Sequence, residues 1–246
     1  MTGRCGRWAM GMSDARQGDR AWVLHRRPYR NTSLIIEFLT ASGGRLAAVA
    51  RSGRRQPHLQ PFRPLTVFVS GRAELRSLKN AEPEGAAIPL RGEALYCGLY
   101  LNELLVRMLH RDDPQPGLAG CYEEALQRLA DDDWPRDLVL RQFEQSLLQM
   151  LGYGLSLEHD VHGQPLQPGQ DYRLVPDEGL VAAANGRYAG RDLLALAAGD
   201  WQQADIRRLA RDLMREALAP HLGDRPLISR QLFRQGAAHK QAGDES

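Results

Sequence analysis

Hydrophobic positions in the first third of the chain recur with a period near two, and those in the remainder with a period near 3.6, so a β module precedes a helical one. Residues 21–27 alternate in part, with Val23 and His25 opposite Trp22 and Leu24, and Pro28 closes the run. Residues 34–39 are a second strand, rich in β-branched and aromatic side chains. Ser42-Gly43-Gly44 makes a tight turn into a third strand, residues 46–50, completing a hairpin. The loop Arg51-Ser-Gly-Arg-Arg55 follows, and residues 65–69 and 73–79 supply two further strands across Ser70-Gly71-Arg72. Five strands with no room for a long helix predict a partly open barrel of the oligonucleotide-binding kind over residues 19–82; a small sandwich or an SH3-like barrel is the alternative.

From Glu93 the period lengthens. Leu95, Leu99, Leu101, Leu104, Leu105, Met108 and Leu109 recur at helical spacing up to Asp112-Asp113-Pro114. Residues 122–130 and 137–151 continue as helices, the latter ended by Gly152-Tyr-Gly154. Residues 157–187 are rich in Gly, Pro and Asp and form a small inserted lobe, with a hairpin predicted at 172–175 and 179–183. Helices resume at 191–198, 203–222 and 229–236. The expected fold class is thus α+β: the barrel, then a helical domain over residues 91–236. Residues 1–18 and 237–246 read as a disordered extension and a flexible tail.

The formal net charge of +2 hides a strong asymmetry. Residues 1–80 hold 15 Lys and Arg against 4 Asp and Glu, a net +11, whereas residues 81–246 hold 17 against 26, a net −9. Concentrated positive charge on a small β module points to a polyanion, most often nucleic acid. The candidate contacts are Arg26, Arg27, Arg30, Arg51, Arg54, Arg55, Arg63, Arg72, Arg76 and Lys79. Tyr29 sits among Arg26, Arg27 and Arg30, and Phe62 lies between the loop arginines and Arg63; rings interleaved with cations suit a single strand, by stacking on its bases. The competing reading is a solvated basic surface, against which stands the acidic balance of the rest of the chain. Trp22, Phe38 and Phe68 alternate with polar neighbours and read as core.

Three widely spaced cysteines, Cys5, Cys97 and Cys121, argue against a disulfide framework and fit a reducing cytoplasm. No window approaches a membrane-spanning length, and the basic amino-terminal stretch lacks the apolar run of a signal peptide.

Catalytic signatures are sparse. Neither lysine, Lys79 or Lys240, falls in a phosphate-binding loop motif, and no G-x-S-x-G, H-E-x-x-H or C-x-x-C occurs. The acid pairs Asp112-Asp113, Glu123-Glu124 and 131–133 suggest a metal-dependent nuclease as the rival class, but neighbouring carboxylates on a helix diverge and acids are common at helix ends. His159, Asp160 and His162 make a weak zinc signal in a segment that otherwise reads as a solvated loop. In the third helix, a core stripe set by Phe143 and Leu147 places Arg141 on the far side with Leu138 and Leu148. Two readings are open: a clamp for a peptide carboxylate with apolar flanks, or a helix packed on both sides.

Six stretches together resemble the RecO family of bacterial DNA repair and recombination mediators. They are Val23-Leu-His-x-Arg-Pro-Tyr-x-x-Thr-Ser-Leu34, Leu59-Gln-Pro-Phe-x-Pro-Leu65, Tyr96-x-Gly-Leu-Tyr-x-Asn-Glu-Leu-Leu105, Leu140-Arg-x-Phe-Glu144, Leu151-Gly-Tyr-Gly154 and His221-Leu-Gly-x-x-Pro-Leu-x-Ser-Arg-x-Leu-Phe233. The resemblance implies an oligonucleotide-binding barrel followed by a helical domain with an inserted lobe. It implies a non-enzymatic role without cofactor: binding single- and double-stranded DNA, annealing complementary strands, and helping RecA, together with RecR, replace single-stranded-DNA-binding protein. It also implies that the acidic, phenylalanine-ending tail of that protein docks on the helical domain, with Arg141 as its carboxylate clamp. Asn102 and Glu103 are expected to fix contacts between elements. Many relatives bind zinc through four cysteines in the lobe; the matching stretch here, Glu158-His-Asp-Val-His-Gly163, has none, so no structural zinc is expected.

Overall fold

A computed structural model describes residues 18–201, 203–229 and 231–232. The disordered extension and flexible tail anticipated at the two ends lie almost wholly outside the described residues, as does much of the helix expected at 229–236. Five strands, β1 (Asp19–Tyr29), β2 (Ser33–Thr40), β3 (Gly44–Ala50), β4 (Pro64–Ser70) and β5 (Leu75–Pro83), form a barrel in the order β1-β2-β3-β5-β4. It is closed rather than partly open, because Asp19–Trp22 of β1 pair with Val67–Pro64 of β4. β1 also runs through Pro28, which stands opposite Leu34 of β2. β4 has already left β1 at that level, so Pro28 lies on an open edge, where a missing N–H is tolerated.

The alternation along β1 sorts side chains between two cores. Ala21 and Val23 enter the barrel interior with Ile36, Phe38, Leu46 and Leu65. Trp22 and Leu24 point outward, yet both are buried, because the helices cover that face. Phe38 is core as expected, whereas Phe68 is only partly buried.

Among the described residues five α-helices follow that are bounded at both ends: α1 (Gly92–Met108), α2 (Leu118–Ala130), α3 (Arg136–Met150), α4 (Gly190–Ala197) and α5 (Ala204–Leu222). Between α3 and α4 the inserted lobe carries β6 (Asp171–Val175), β7 (Gly179–Ala182) and the short β8 (Tyr188–Ala189), in the order β7-β6-β8. The hairpin falls where the turn residues place it; the two-residue β8 is too short to leave a pattern. α1 is the central element, with β1, α2, α3 and α5 all packed against it. Gly98 of α1 allows a close approach: a Cβ there would lie 2.5 Å from Leu90 Cδ1 and 2.9 Å from the Phe62 ring.

Polar contacts lock the two parts together. β1 carries a bulge at Leu24, between paired residues Val23 and His25. The Leu24 carbonyl accepts a 3.0 Å hydrogen bond from Asn102 Nδ2, and Asn102 Oδ1 accepts one of 2.5 Å from the Tyr122 hydroxyl. Burial raises the Tyr122 pKa, so the phenol stays a donor. Glu103 accepts from the Ile228 and Ser229 amides and the Ser229 hydroxyl. Burial works to raise its carboxyl, but these bonds and the Arg107 charge outweigh it and hold the group below the usual range.

On the other side of the seam, buried Glu37 of β2 meets Arg45 Nε at 3.0 Å and the guanidinium of Arg111. Arg45 Nη1 also donates to the Val106 and Leu109 carbonyls at 2.6 and 2.9 Å, capping the negative end of α1. Burial alone would raise the Glu37 carboxyl, but Arg111 and Arg45 more than offset it and leave its pKa lowered. Glu37→Gln preserves shape but removes the charge between two arginines, and is expected to cost about 3 kcal/mol, read as a lower urea midpoint. The folded pKa is the lowered one, so Glu37 contributes its full stability above the ordinary value of 4.5 and loses it as pH falls through the folded value. The gap between wild type and E37Q therefore narrows on acidification below pH 4.5.

Candidate nucleic-acid interface

One end of the barrel gathers most of the cations singled out in the sequence. The β1–β2 turn brings Arg26, Arg27, Tyr29 and Arg30 there, and the connection after β3 brings Arg51, Arg54 and Arg55 alongside. The two segments are tied by the Arg54 amide to the Thr32 carbonyl at 3.2 Å and by Arg54 Nη2 to the Arg30 carbonyl at 3.5 Å. Gly53 seats the single 3-10 turn, Gly53–Arg55, on Leu34 and Ala50, where a Cβ would lie 2.9 Å from the Ala50 Cβ. Arg30 and Ser52 have positive φ values of 49° and 53°, so both tight turns at this end bend through the left-handed region. Arg26 Nη1 donates to the Leu59 carbonyl, and the Arg30 guanidinium lies 5.2 Å from the Tyr29 ring centre. All six arginines are exposed.

Lys79 joins them through strand register. β3 pairs with β5 in parallel, Ala50 opposite Leu78, so Arg51 and Lys79 leave the ladder at the same level. On its other edge β5 pairs Leu78 with Val69 and Asn80 with Phe68, which makes Lys79 the extra residue of a bulge. A bulge re-aims the side chain it displaces. Arg51, Gln56, His58, Ser77, Lys79 and Asn80 line an open groove of about 420 Å³.

Other cations do not join this cluster. Arg72 is exposed in the β4–β5 turn, at the opposite end of the barrel. Arg76 is ion-paired with Asp112, from the connection after α1, so its charge is compensated by the helical part. Arg63 is partly buried, and its Nε is enclosed without a hydrogen-bond partner among the described residues. Phe62, expected beside the arginines as a stacking ring, is instead only 7 % exposed and packs on Gly98 of α1. With φ at 65°, its backbone turns the ring away from the loop and into the common core.

The acid pairs are engaged singly and apart. Asp112 holds Arg76, Glu123 holds Arg20, and Glu124 and Asp132 pair with Arg128 and Arg136 one turn away. Among the described residues no group of three His, Cys, Asp or Glu side chains gathers as a metal set would. Asp160 closes a turn by accepting from the His162 and Gln164 amides, while His159 and His162 are exposed. Cys97 is buried, which pushes its thiol up to about 12. No described helix is long and apolar enough to cross a membrane.

Residues 12–86 match the family model "Recombination protein O N terminal" and residues 90–231 match "Recombination protein O C terminal". The chain belongs to the RecO family. Similar proteins named DNA repair protein RecO come from Nitrosospira multiformis, 44 % identical over 87 % of this chain and 93 % of that protein, and Alkalilimnicola ehrlichii, 46 % identical over 89 % and 93 %. The protein of that name from Pseudomonas paraeruginosa is 45 % identical over 86 % of this chain and 92 % of its own length. Family membership places the chain in DNA repair and recombination.

In this RecO-family chain the outward face expected on α3 is not formed. Leu148 is 1 % exposed and belongs to the helical core, and Leu138 is partly buried. The Arg141 side chain is 11 % exposed, lies 2.7 Å from fully buried Glu144, and reaches the Arg211 carbonyl of α5 at 3.5 Å. The physical reason is that α5 covers the side of α3 turned away from α2, so α3 is packed on both sides. Glu144 also accepts a 2.5 Å bond from the Tyr100 hydroxyl. Arg141→Ala leaves that carboxylate without its arginine and is expected to cost about 3 kcal/mol, lowering the melting temperature by roughly 2–4 °C per kcal/mol. A thermal melt unchanged within 1–2 °C, on the order of half a kcal/mol, would contradict the structural role.

Proposed function

We propose that this protein is a non-enzymatic mediator of DNA repair and recombination. Its barrel binds single- and double-stranded DNA through the Arg26, Arg27, Tyr29, Arg30, Arg51, Arg54, Arg55 and Lys79 end. The observation that carries this reading is the convergence of seven cations from three separate segments on one end of a closed barrel, while Asp112, Glu123, Glu124 and Asp132 of the helical part are engaged elsewhere in ion pairs. Guanidinium and ammonium groups there neutralise phosphates and release counterions. Two strands brought to the same cationic surface lose part of their mutual repulsion, which favours annealing of complementary bases. The helical part supplies the partner contacts that the family relationship suggests: the acidic tail of single-stranded-DNA-binding protein, RecR, and through them RecA in the bacterial cytoplasm. The carboxylate-clamp role for Arg141 needs its guanidinium to leave Glu144, so tail docking is proposed for the helical part without resting on Leu138, Arg141 and Leu148.

Replacing Arg54 and Arg55 by alanine is expected to flatten the slope of log affinity against log salt by about 1.4 on single strands, at roughly 0.7 per phosphate contact. Fluorescence titration across salt reads this directly, and an unchanged slope counts against the loop. Asp112→Asn has the opposite effect, because it releases Arg76; it is expected to steepen the slope by about 0.7. Asp113→Asn removes the same charge next door, where the carboxylate accepts from Gln115. If both substitutions act alike, a general charge effect replaces the release of Arg76.

A further inference from the structure

The parallel ladder between β3 and β5 is short. It joins Ala47–Ala50 to Leu75–Leu78, and β3 then ends, while β5 continues to Pro83 with only β4 beside it. Beyond Leu78, β5 therefore turns an unpaired edge toward the space that β3 has vacated. Its alternating backbone donors and acceptors are free of a strand partner. The Ala81 amide is met locally, by Asn80 Oδ1 at 3.0 Å. The connection from Arg51 to His58 runs over this space, and the open groove of about 420 Å³ is within the range that accommodates small organic groups, 300–1,000 Å³.

The lining is uneven in a way that matches a nucleotide. Arg51 and Lys79 stand at the groove, while Gln56, Ser77 and Asn80 provide neutral hydrogen-bonding side chains and Leu78 and Ala81 an apolar floor. His58 Nε2 is buried at the wall without a hydrogen-bond partner among the described residues, an arrangement that costs about 1–3 kcal/mol when left unmet. A surface used only for phosphates needs cations and no cavity, and a duplex keeps its bases stacked inside.

We infer that this groove is a subsite for one unstacked nucleotide of single-stranded DNA, its phosphate held by Arg51 and Lys79 and its base inserted beneath the 51–58 connection against the open edge of β5. This inference rests on the DNA-binding reading and adds base recognition to it. Duplex DNA uses the cationic end alone.

The test compares a thymine oligonucleotide with an abasic deoxyribose-phosphate oligomer of equal length and charge, by fluorescence anisotropy at fixed salt. The wild-type chain is expected to bind the thymine oligomer about tenfold more tightly, the scale of one stacked or hydrogen-bonded base. Ser77→Phe, which fills the groove and leaves every cation in place, brings the two oligomers within about twofold while duplex affinity and salt slope stay as in the wild type. If Ser77→Phe does not fold, Asn80→Leu at an exposed position is used in its place. Equal wild-type affinity for both oligomers overturns the subsite, as does a base preference that survives the groove-filling variant. Failure of both oligomers and of duplex to bind overturns the DNA-binding reading itself, a result distinct from loss of base preference alone.

Discussion

Burial of both faces of β2 and of the Ala21–Leu24 stretch of β1 is the constraint on which the remainder of the molecule depends. An isolated small barrel needs an apolar interior and a wettable exterior. Here Trp22, Leu24, Leu39 and Phe62 lie outside the barrel interior and in the same core as the helices. At about 2 kcal/mol for each fully buried large side chain, the four contribute roughly 8 kcal/mol to holding the two parts together. The ionic cluster at Glu37 is a smaller net contributor, because desolvation offsets most of its attraction. It supplies direction instead: Arg45 links a β2 carboxylate to the last carbonyls of α1, and only one placement of the helix satisfies both.

The bulge at Leu24 belongs to the same seam. A bulged residue leaves a carbonyl outside the ladder, and burying that group unpaired would cost about 1–3 kcal/mol. Asn102 donates to it while accepting from Tyr122, whose ring packs edge-on to Trp22 with centroids 6.2 Å apart. One polar chain thus runs from β1 through α1 to α2 inside an apolar core. Rigid attachment on this side leaves the opposite end of the barrel as the exposed one, and the cationic turns lie there. The two bulges play opposite parts: that at Leu24 anchors the barrel to the helices, and that at Lys79 turns a cation toward the groove.

Charge is distributed by the same logic. Arg20, Arg45 and Arg76, whose guanidinium groups reach the helical part, have acidic or carbonyl partners, whereas Arg27, Arg51 and Arg55 at the far end are exposed. The net +11 of the first 80 residues is therefore partly structural, and among the described residues most of the remaining cations gather at one end of the barrel. Such a field acts on any polyanion nearby, steering it before contact. Loss of compensated arginines would be felt first as lost stability, and loss of the exposed ones as lost salt-dependent affinity.

The strand count, the change of period at Glu93, the hairpin of the lobe and the basic stretch at 51–55 were legible in the sequence, because each depends on neighbours within one or two turns of chain. Most of the cationic end was legible for the same reason, since Arg26, Arg27 and Arg30 flank one turn and Arg51, Arg54 and Arg55 another. What stayed hidden required knowing which segments meet. Phe62 and Leu148 had patterns compatible with surface, and α1 and the core around α3 enclosed them. Arg141 looked outward until α5 covered it, and Arg76 looked free until Asp112 reached it across the seam. The groove at Gln56, His58 and Asn80 arises from a parallel register between strands separated by 24 residues, for which the sequence carries no local signal. Periodicity decides which side of an element is apolar; only the packed chain decides whether a second element arrives to cover the other side.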